Sequence, residues 1–382
     1  MHIAHVMEAT IGGTRRHLVD VAHAQLLRGD TVSLLVSTLR DPGFAADLVA
    51  LEAAGATVRR IPMVRAIRPA RDLVHLRRIK AALRELRPDV VHTHSSKAGV
   101  LGRRASLSTG IGARVHTPHT FAFLFGAMFG RAKRAVFRSI ERSLASSTHR
   151  LVAVSESEAA TIAASGVVDP GRLCTVPNGI DPARVEGAEP ANLADFGLDA
   201  ARPVAAVVGL LYSAKGQDLA LEALAEEGLE GLQLLFVGPG DQGPLLELAA
   251  RLGVERRVAF TGPRDDVPSI LAASDFLVLP SRWEGMPYVV LEAMAASRAV
   301  VSTPVDGARD LVEDDVTGFL ASGVSGAALA AAMRRAVLAG SGRRERLGAA
   351  GRARLDGAHD VSTMAERLDA VYREALGASG KP

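Results

Sequence analysis

One cysteine, Cys174, stands in 382 residues. A lone thiol excludes an internal disulfide framework and a cysteine-based metal cluster, fits a reducing compartment, and reads most simply as core filling. Aromatic residues are scarce, 4% of the chain with a single Trp, and no aromatic-rich nucleic-acid motif occurs, so RNA or DNA is not an expected partner. No run approaches the roughly 18 apolar residues of a membrane-spanning helix; the longest, FAFLFGAMF at 121–129, has nine. The start, MHIAHVMEA, lacks a basic n-region and is interrupted by Glu8, so it reads as a first strand rather than a signal peptide. Also missing are the G-x-G-x-x-G fingerprint and an acidic residue closing the second strand, which argues against a dinucleotide oxidoreductase.

What the chain has is apolar mass, 48% hydrophobic with 23% charged, enough for two or three soluble domains. The net charge of +3 is unevenly placed: residues 1–180 carry 25 Lys and Arg against 13 Asp and Glu, and the remainder carries 20 against 29. Such a split implies two units with different partners, the basic half suited to an anionic membrane or acceptor.

Strand-like and helix-like segments alternate. HIAHVM (2–7), TVSLLVS (31–37), DVVHTH (89–94), ARVHTPH (113–119) and RLVAVS (150–155) read as strands, with helices at 14–29 and 72–88. After VPNGID (176–181) the pattern restarts, with strands at 203–211, 232–238, 258–262, 276–281 and 299–303 and a helix at 216–228. Alternation predicts βαβ units and parallel sheets. The expected class is therefore α/β, two Rossmann-like doubly wound domains, 1–180 and 181–358, facing a cleft. The last helix, over 359–376 within a terminal segment 359–382, is expected to return to the first domain. In open sheets of this kind ligands bind beyond the carboxyl ends of the strands.

Several strand ends carry chemistry. EATIGGTRRH (8–17) places Gly12 and Gly13 between a strand and a helix, where bare backbone accommodates a phosphate, with Arg15 and Arg16 adding charge. In GLLYSAKGQD (209–218), Lys215 stands at a helix start within reach of a diphosphate. His94 and His119 fall at strand ends; no acid partners them at ligand spacing, so hydrogen bonding or proton handling suits them better than metal ligation. His92 and His116 read as packed core histidines. In SRWEGMPYVVLEAM (281–294), Pro287 is predicted in the first helical turn, Glu284 in the loop before it and Glu292 about one and a half turns inside. The two acids can then address different ends of one long ligand, while backbone N–H groups near Met286, Tyr288 and Val289 suit a phosphate. A helix so apolar is largely buried, and buried acids need partners.

The chain resembles the retaining glycosyltransferases of family 4, of GT-B fold, over nearly its whole length. The motifs that carry the resemblance are EGMPYVVLE with its flanks SDFLVLPSRW and AMAASRAVVST, the first-loop GGT, DVVHTHSSKAG, VPNGID and TGPRDDVPSILAASD. It implies that Glu284 lies against the donor sugar and that Glu292 binds the ribose hydroxyls. Gly13 and Lys215 would hold the diphosphate, His119 would contact the transferred sugar, and Arg264 to Val267 would meet the base. Members generally work without an essential metal, so neither a cofactor nor a metal is expected and Asp265-Asp266 is not a metal motif. One departure stands out: Leu210 occupies a position where relatives carry arginine, and Arg15, Arg16 and Arg282 are candidates to replace that charge.

The implied reaction is hexosyl transfer from a nucleotide sugar, UDP favoured by family frequency, to an acceptor hydroxyl. Glu284 is read either as a nucleophile or as an electrostatic stabiliser. TFAFLFGAMFGRAKRAVFR (120–138) puts phenylalanines beside basic residues. Two readings are compatible with that composition: a seat for a lipid-linked saccharide acceptor at the inner membrane face of a cytoplasmic protein, or a buried helix with a basic rim. A nucleotide-sugar 2-epimerase of the same fold and a non-catalytic nucleotide- or carbohydrate-binding homologue are the alternatives.

Overall fold

The computed structural model describes residues 1–126, 128–355, 357 and 359–380. Ala127 in the phenylalanine-rich stretch, Asp356 and Ala358 at the end of the second expected domain, and Lys381 and Pro382 in the terminal segment lie outside the described residues. The chain forms two compact units, Met1–Asn178 with Val361–Pro382 and Gly179–Asp360.

In the first unit, β1 (His2–Met7), α1 (Gly12–Leu27), β2 (Thr31–Val36), α2 (Phe44–Ala53), β3 (Thr57–Arg60), α3 (Pro69–Leu86) and β4 (Val90–His94) follow in order. Then come α4 (Ser96–Thr109), β5 (Ala113–Thr117), α5 (Arg131–Ala145), β6 (Arg150–Ala153), α6 (Glu156–Ser165) and β7 (Leu173–Thr175). The second unit runs β8 (Val204–Val208), α7 (Gln217–Leu224), β9 (Gln233–Val237), α8 (Gly243–Leu252), β10 (Val258–Phe260), α9 (Val267–Ala273) and β11 (Phe276–Leu279). It continues α10 (Tyr288–Ala295), β12 (Ala299–Ser302), α11 (Ala308–Leu311), β13 (Gly318–Leu320), α12 (Gly326–Leu338) and α13 (Gly340–Ala353), and α14 (Val361–Ala378) belongs to the first unit.

Both sheets are parallel, in the orders β3-β2-β1-β4-β5-β6-β7 and β10-β9-β8-β11-β12-β13. Continuous apolar runs such as Leu34–Val36 and Phe276–Leu279 are what strands covered on both faces require. In each sheet the chain reverses its direction of growth beside the first strand, so the loops after β1 and β4, and after β8 and β11, flank the topological switch point.

Strand alternation sorts the first unit's core. Ala4 and Val6 pack with Ile79, Leu83 and Leu101 on one face. Ile3, Val90, Val115 and Val152 pack with Val21 and with Met364, Leu368 and Tyr372 of α14 on the other. His5 pairs in register with His92, and Met7 with His94. Period two therefore puts His5, His92 and His94 on one face.

Two local expectations are corrected. Gly12 and Gly13 open α1 rather than lying in a loop before it; Ile11 is the extended N-cap, and Gly12 takes a positive φ of 57° that glycine tolerates. Pro287 is the N-cap of α10 rather than a residue of its first turn, with extended ψ of 115°, because the chain is still turning out of the Glu284 loop.

Candidate functional site

In the second unit the switch-point loops bring Lys215 and Glu284 together. The Lys215 Nζ donates to Glu284 Oε1 at 2.6 Å. Ser281 Oγ donates to the same oxygen at 2.6 Å, and the buried Thr303 hydroxyl donates to the Ser281 carbonyl, also at 2.6 Å. The carboxylate is thus fixed from β11, from the turn before α7 and, through Thr303, from the end of β12. Burial would lower the Lys215 ammonium; Glu284 outweighs it, with Tyr212 assisting, and holds the lysine above its ordinary value. The pair is well shielded, with side-chain exposures of 24% and 11%.

Glycine makes this approach possible. Gly216 sits at φ 67°, and a Cβ there would collide with the Pro280 carbonyl. Gly307, at φ 71°, lets the chain before α11 lie against the Gly285 carbonyl and Met286 Cα, so it buttresses the backbone leading into α10. Met286 and Tyr288 are buried, Val289 and Glu292 half-buried, and Leu291 and Ala293 fully buried. Glu292 is the fifth residue of α10, while Glu284 precedes the helix.

The three arginines considered as replacements for the missing charge are all in ion pairs. Arg282 clasps Asp218 with two hydrogen bonds of 2.7 and 2.6 Å and donates to the Ser213 carbonyl at 2.7 Å. Arg15 bridges Asp47 at 2.5 Å and Asp41 at 2.7 Å, and Arg16 bonds Asp20 at 2.9 Å. Leu210 is half-buried, and its carbonyl accepts from Gln217 Nε2 at 2.9 Å. Arg264 pairs with Asp266 and lies over the Phe196 ring, just before Val267 opens α9.

In the first unit, the face shared by His5, His92 and His94 holds a buried hydrogen-bonded chain. His119 Nε2 lies 3.3 Å from His94 Nδ1, and His94 Nε2 lies 3.0 Å from His5 Nδ1. His5 Nε2 donates to Gln25 Oε1 at 2.8 Å. Gln25 Nε2 donates to Tyr372 Oη at 3.2 Å. The tyrosine hydroxyl donates to His92 Nδ1 at 2.8 Å, and His92 Nε2 to Thr117 Oγ1 at 2.8 Å. Because Gln25 Oε1 can only accept, every tautomer upstream is set. His17 Nδ1 donates to Asn178 Oδ1 at 3.0 Å. Burial lowers every histidine in the cluster, His5 and His17 to about 4. His92 is a satisfied core histidine, as its position implied. His116 is buried too, bonded through Nδ1 to Thr93, with no partner for Nε2 among the described residues.

His119 and Thr120 both take positive φ, 49° and 73°, unusual for non-glycine residues. The buried Glu158 sustains the turn: its carboxylate accepts from the Thr120 N–H and the Val154 N–H, both at 2.7 Å. Sequence reading missed Glu158, Ser281, Thr303 and Asp218. Only the S-x-x-E spacing of Ser155 and Glu158, a capping box, signalled one of them.

Of the phenylalanine-rich stretch, Phe121 and Phe123 are buried, and Phe125, Phe129 and Phe137 are half-buried. Lys133 Nζ lies 4.5 Å over the Phe129 ring, on the exposed side of α5 with Arg131, Val136 and Arg138. Among the described residues no helix is long and apolar enough to cross a membrane. Cys174 is half-buried, its thiol pushed up to about 11 by burial and by Glu374.

Residues 11–184 match Glycosyltransferase Family 4, and residues 202–339 match Glycosyl transferases group 1. The chain is 33% identical over 263 residues to the UDP-Gal:alpha-D-GlcNAc-diphosphoundecaprenol alpha-1,3-galactosyltransferase of Escherichia coli, covering 65% of this chain and 66% of that protein. It is 30% identical over 301 residues to the D-inositol 3-phosphate glycosyltransferase of Mycobacterium tuberculosis, covering 76% and 62%. The chain spans just under two thirds of the length of both curated relatives. It superposes on HepE of Anabaena, solved with UDP and glucose, with a TM-score of 0.77 at 22% identity over 97% of this chain and 98% of that one. Two parallel α/β sheets on that pattern constitute the GT-B fold.

Proposed function

The chain belongs to the family 4 glycosyltransferases, and on that premise we propose that it moves a hexosyl group from a UDP-sugar to an acceptor hydroxyl with retained anomeric configuration. The observation that carries the proposal is the Lys215–Glu284 pair at 2.6 Å, held where the second sheet's switch-point loops meet the start of α10. UDP is supported by the donor named for the E. coli relative and by the UDP bound in HepE.

In this reading the leaving diphosphate takes Lys215 as its counter-ion, and the N-terminal N–H groups of α10 take the remaining charge. Drawing Lys215 to the diphosphate frees Glu284 Oε1 to face the sugar, where positive charge develops. Ser281 keeps the carboxylate oriented throughout. Glu292, deeper in α10, holds the ribose hydroxyls; Gly13 assists at the diphosphate, and the Arg264–Val267 segment meets the base. His119 contacts the transferred sugar. The acceptor is proposed to be a lipid-linked saccharide reached at the inner face of a membrane. The name of the E. coli relative's acceptor supports this, as do the exposed basic residues of α5.

The test is a thermal-shift screen of UDP-, GDP- and ADP-sugars, followed by transfer assays on lipid-diphosphate saccharides with the product anomer read by NMR. UDP-sugar binding followed by retained-configuration product is expected. An epimerised UDP-sugar without acceptor would instead mark a 2-epimerase, and nucleotide binding with no turnover on any acceptor a binding homologue, the alternative that Leu210 raises.

A further inference from the structure

The histidine chain contains a feature that neither core packing nor sugar contact uses. His17 is 2% exposed, and its Nε2 has no hydrogen-bond partner among the described residues. Its Nδ1 carries the ring proton, because it donates to Asn178 Oδ1 at 3.0 Å. The buried Nε2 is therefore a bare lone pair. Leaving a buried polar atom unsatisfied is unfavourable, so such an atom asks for a ligand.

Two further nitrogens converge there. The ring of His17 stands edge-on to both His94 and His119, with centroids 5.6 and 4.7 Å away. One ring nitrogen from each of His17, His94 and His119 lies within 4.8 Å of the others. The chain through His5 and Gln25 puts the His94 proton on Nε2 and leaves Nδ1 bare. His94 Nδ1 and His119 Nε2 are 3.3 Å apart. That is longer than the usual N–H···N bond, and it matches the roughly 3.3 Å edge of a tetrahedron with metal–nitrogen bonds of about 2.0–2.1 Å.

We propose that His17, His94 and His119 form a three-imidazole site for a divalent ion of the zinc class, and that the bound ion opposes sugar transfer. Neutral imidazole is the ligand type that Zn²⁺, Co²⁺ and Ni²⁺ prefer, and three ligands with a half-buried opening leave a fourth position for water. Two of the ligands already have outer partners that fix the ring and its tautomer, Asn178 for His17 and His5 for His94. His119 binds by moving its proton from Nε2 to Nδ1, so no proton is released. The neighbouring trio His5, His92 and His94 does not compete. His5 and His92 already use both ring nitrogens, on His94, Gln25, Tyr372 and Thr117. The opposing effect rests on the reading given above, since the ion would hold the same His119 that is assigned to the sugar.

The full chain, free of any affinity tag and stripped with EDTA, is titrated with Co²⁺ and then Zn²⁺. The expected result is one equivalent of Co²⁺ with the visible bands of a low-coordinate nitrogen site, displaced by Zn²⁺. X-ray absorption of the Zn²⁺ form is expected to show three imidazole nitrogens in its first shell, and this measurement needs no variant. His119→Gln, at the open end of the cluster, and His17→Gln are expected to weaken binding at least about tenfold, whereas His23→Gln, exposed on α1, is not. Binding that is absent, that lacks the nitrogen shell, or that persists unchanged in His119→Gln overturns the site. In transfer assays Zn²⁺ is expected to stop turnover and EDTA to restore it; full turnover by the loaded protein overturns the opposing role. If the stripped protein transfers no sugar at all, the functional reading fails, and the spectra still decide the metal site.

Discussion

Lys215 and Glu284 share one short hydrogen bond, Nζ to Oε1 at 2.6 Å, across 69 residues of sequence. Each residue neutralises the other. In the proposed reading a diphosphate draws the lysine away, because it offers more charge than one carboxylate.

Removing each partner should therefore have a different effect. Lys215→Ala is expected to weaken UDP binding about tenfold or more in calorimetric titration. Glu284→Gln should leave UDP affinity within about threefold while abolishing transfer, because the amide cannot stabilise developing positive charge. Turnover near the parent rate by Glu284→Gln would remove the carboxylate from the chemistry.

Glu292 should report on the nucleoside alone. Glu292→Ala is expected to lower affinity for UDP but not for inorganic pyrophosphate, measured by competition. Equal losses for both ligands would place Glu292 at the phosphates instead.

Glu158 is expected to act as a positioning residue. Its two oxygens each accept one backbone N–H, and Glu158→Gln turns one acceptor into a donor facing another donor. The variant should lose about 1–3 kcal/mol of stability in urea titration. It should also lower kcat more than KM if the His119 turn matters to transfer. A loss confined to stability would limit Glu158 to folding.

Gly216→Ala tests the approach of Lys215 to Glu284. A Cβ at φ 67° would meet the Pro280 carbonyl. Destabilisation above about 1 kcal/mol is expected, together with weakened UDP binding. An unchanged urea midpoint would show that the loop moves aside without penalty.

Acid stability should reflect the histidines. His5 and His17 sit near 4 when folded, against 6.5 unfolded, chiefly through burial. Between those values the unfolded chain binds protons that the folded chain refuses. Stability should be full above about pH 6.5, fall as pH drops towards 4 by on the order of 3 kcal/mol per ring, and level off below. Urea midpoints in EDTA check this, with His17→Gln expected to show the shallower slope.

The sequence made the two sheets legible because parallel strands advertise themselves as short apolar runs; β1 and β2 could be read almost to the residue. It also showed Glu284 and Glu292 on either side of a helix start. Boundaries failed where Gly12 and Gly13 read as loop but open α1, and where Pro287 read as first helical turn but caps α10. The partners were illegible for a different reason. Arg282 meets Asp218 across 64 residues, Glu158 meets Thr120 across 38, and Gln25 meets Tyr372 across 347. No periodicity encodes pairings that only the folded sheet creates. The same holds for His17: its spacing from His94 and His119 carries no ligand signature.

The helix α14 has a bearing on the order of assembly. Its Met364, Leu368 and Tyr372 complete the core beneath β1 and β4, and Tyr372 supplies the hydroxyl that holds His92 and Gln25. The ribosome delivers those residues only after the entire second unit has been made. The core of the first unit therefore cannot be completed until α14 has followed the second unit off the ribosome, and its histidine chain lacks the Tyr372 hydroxyl until then.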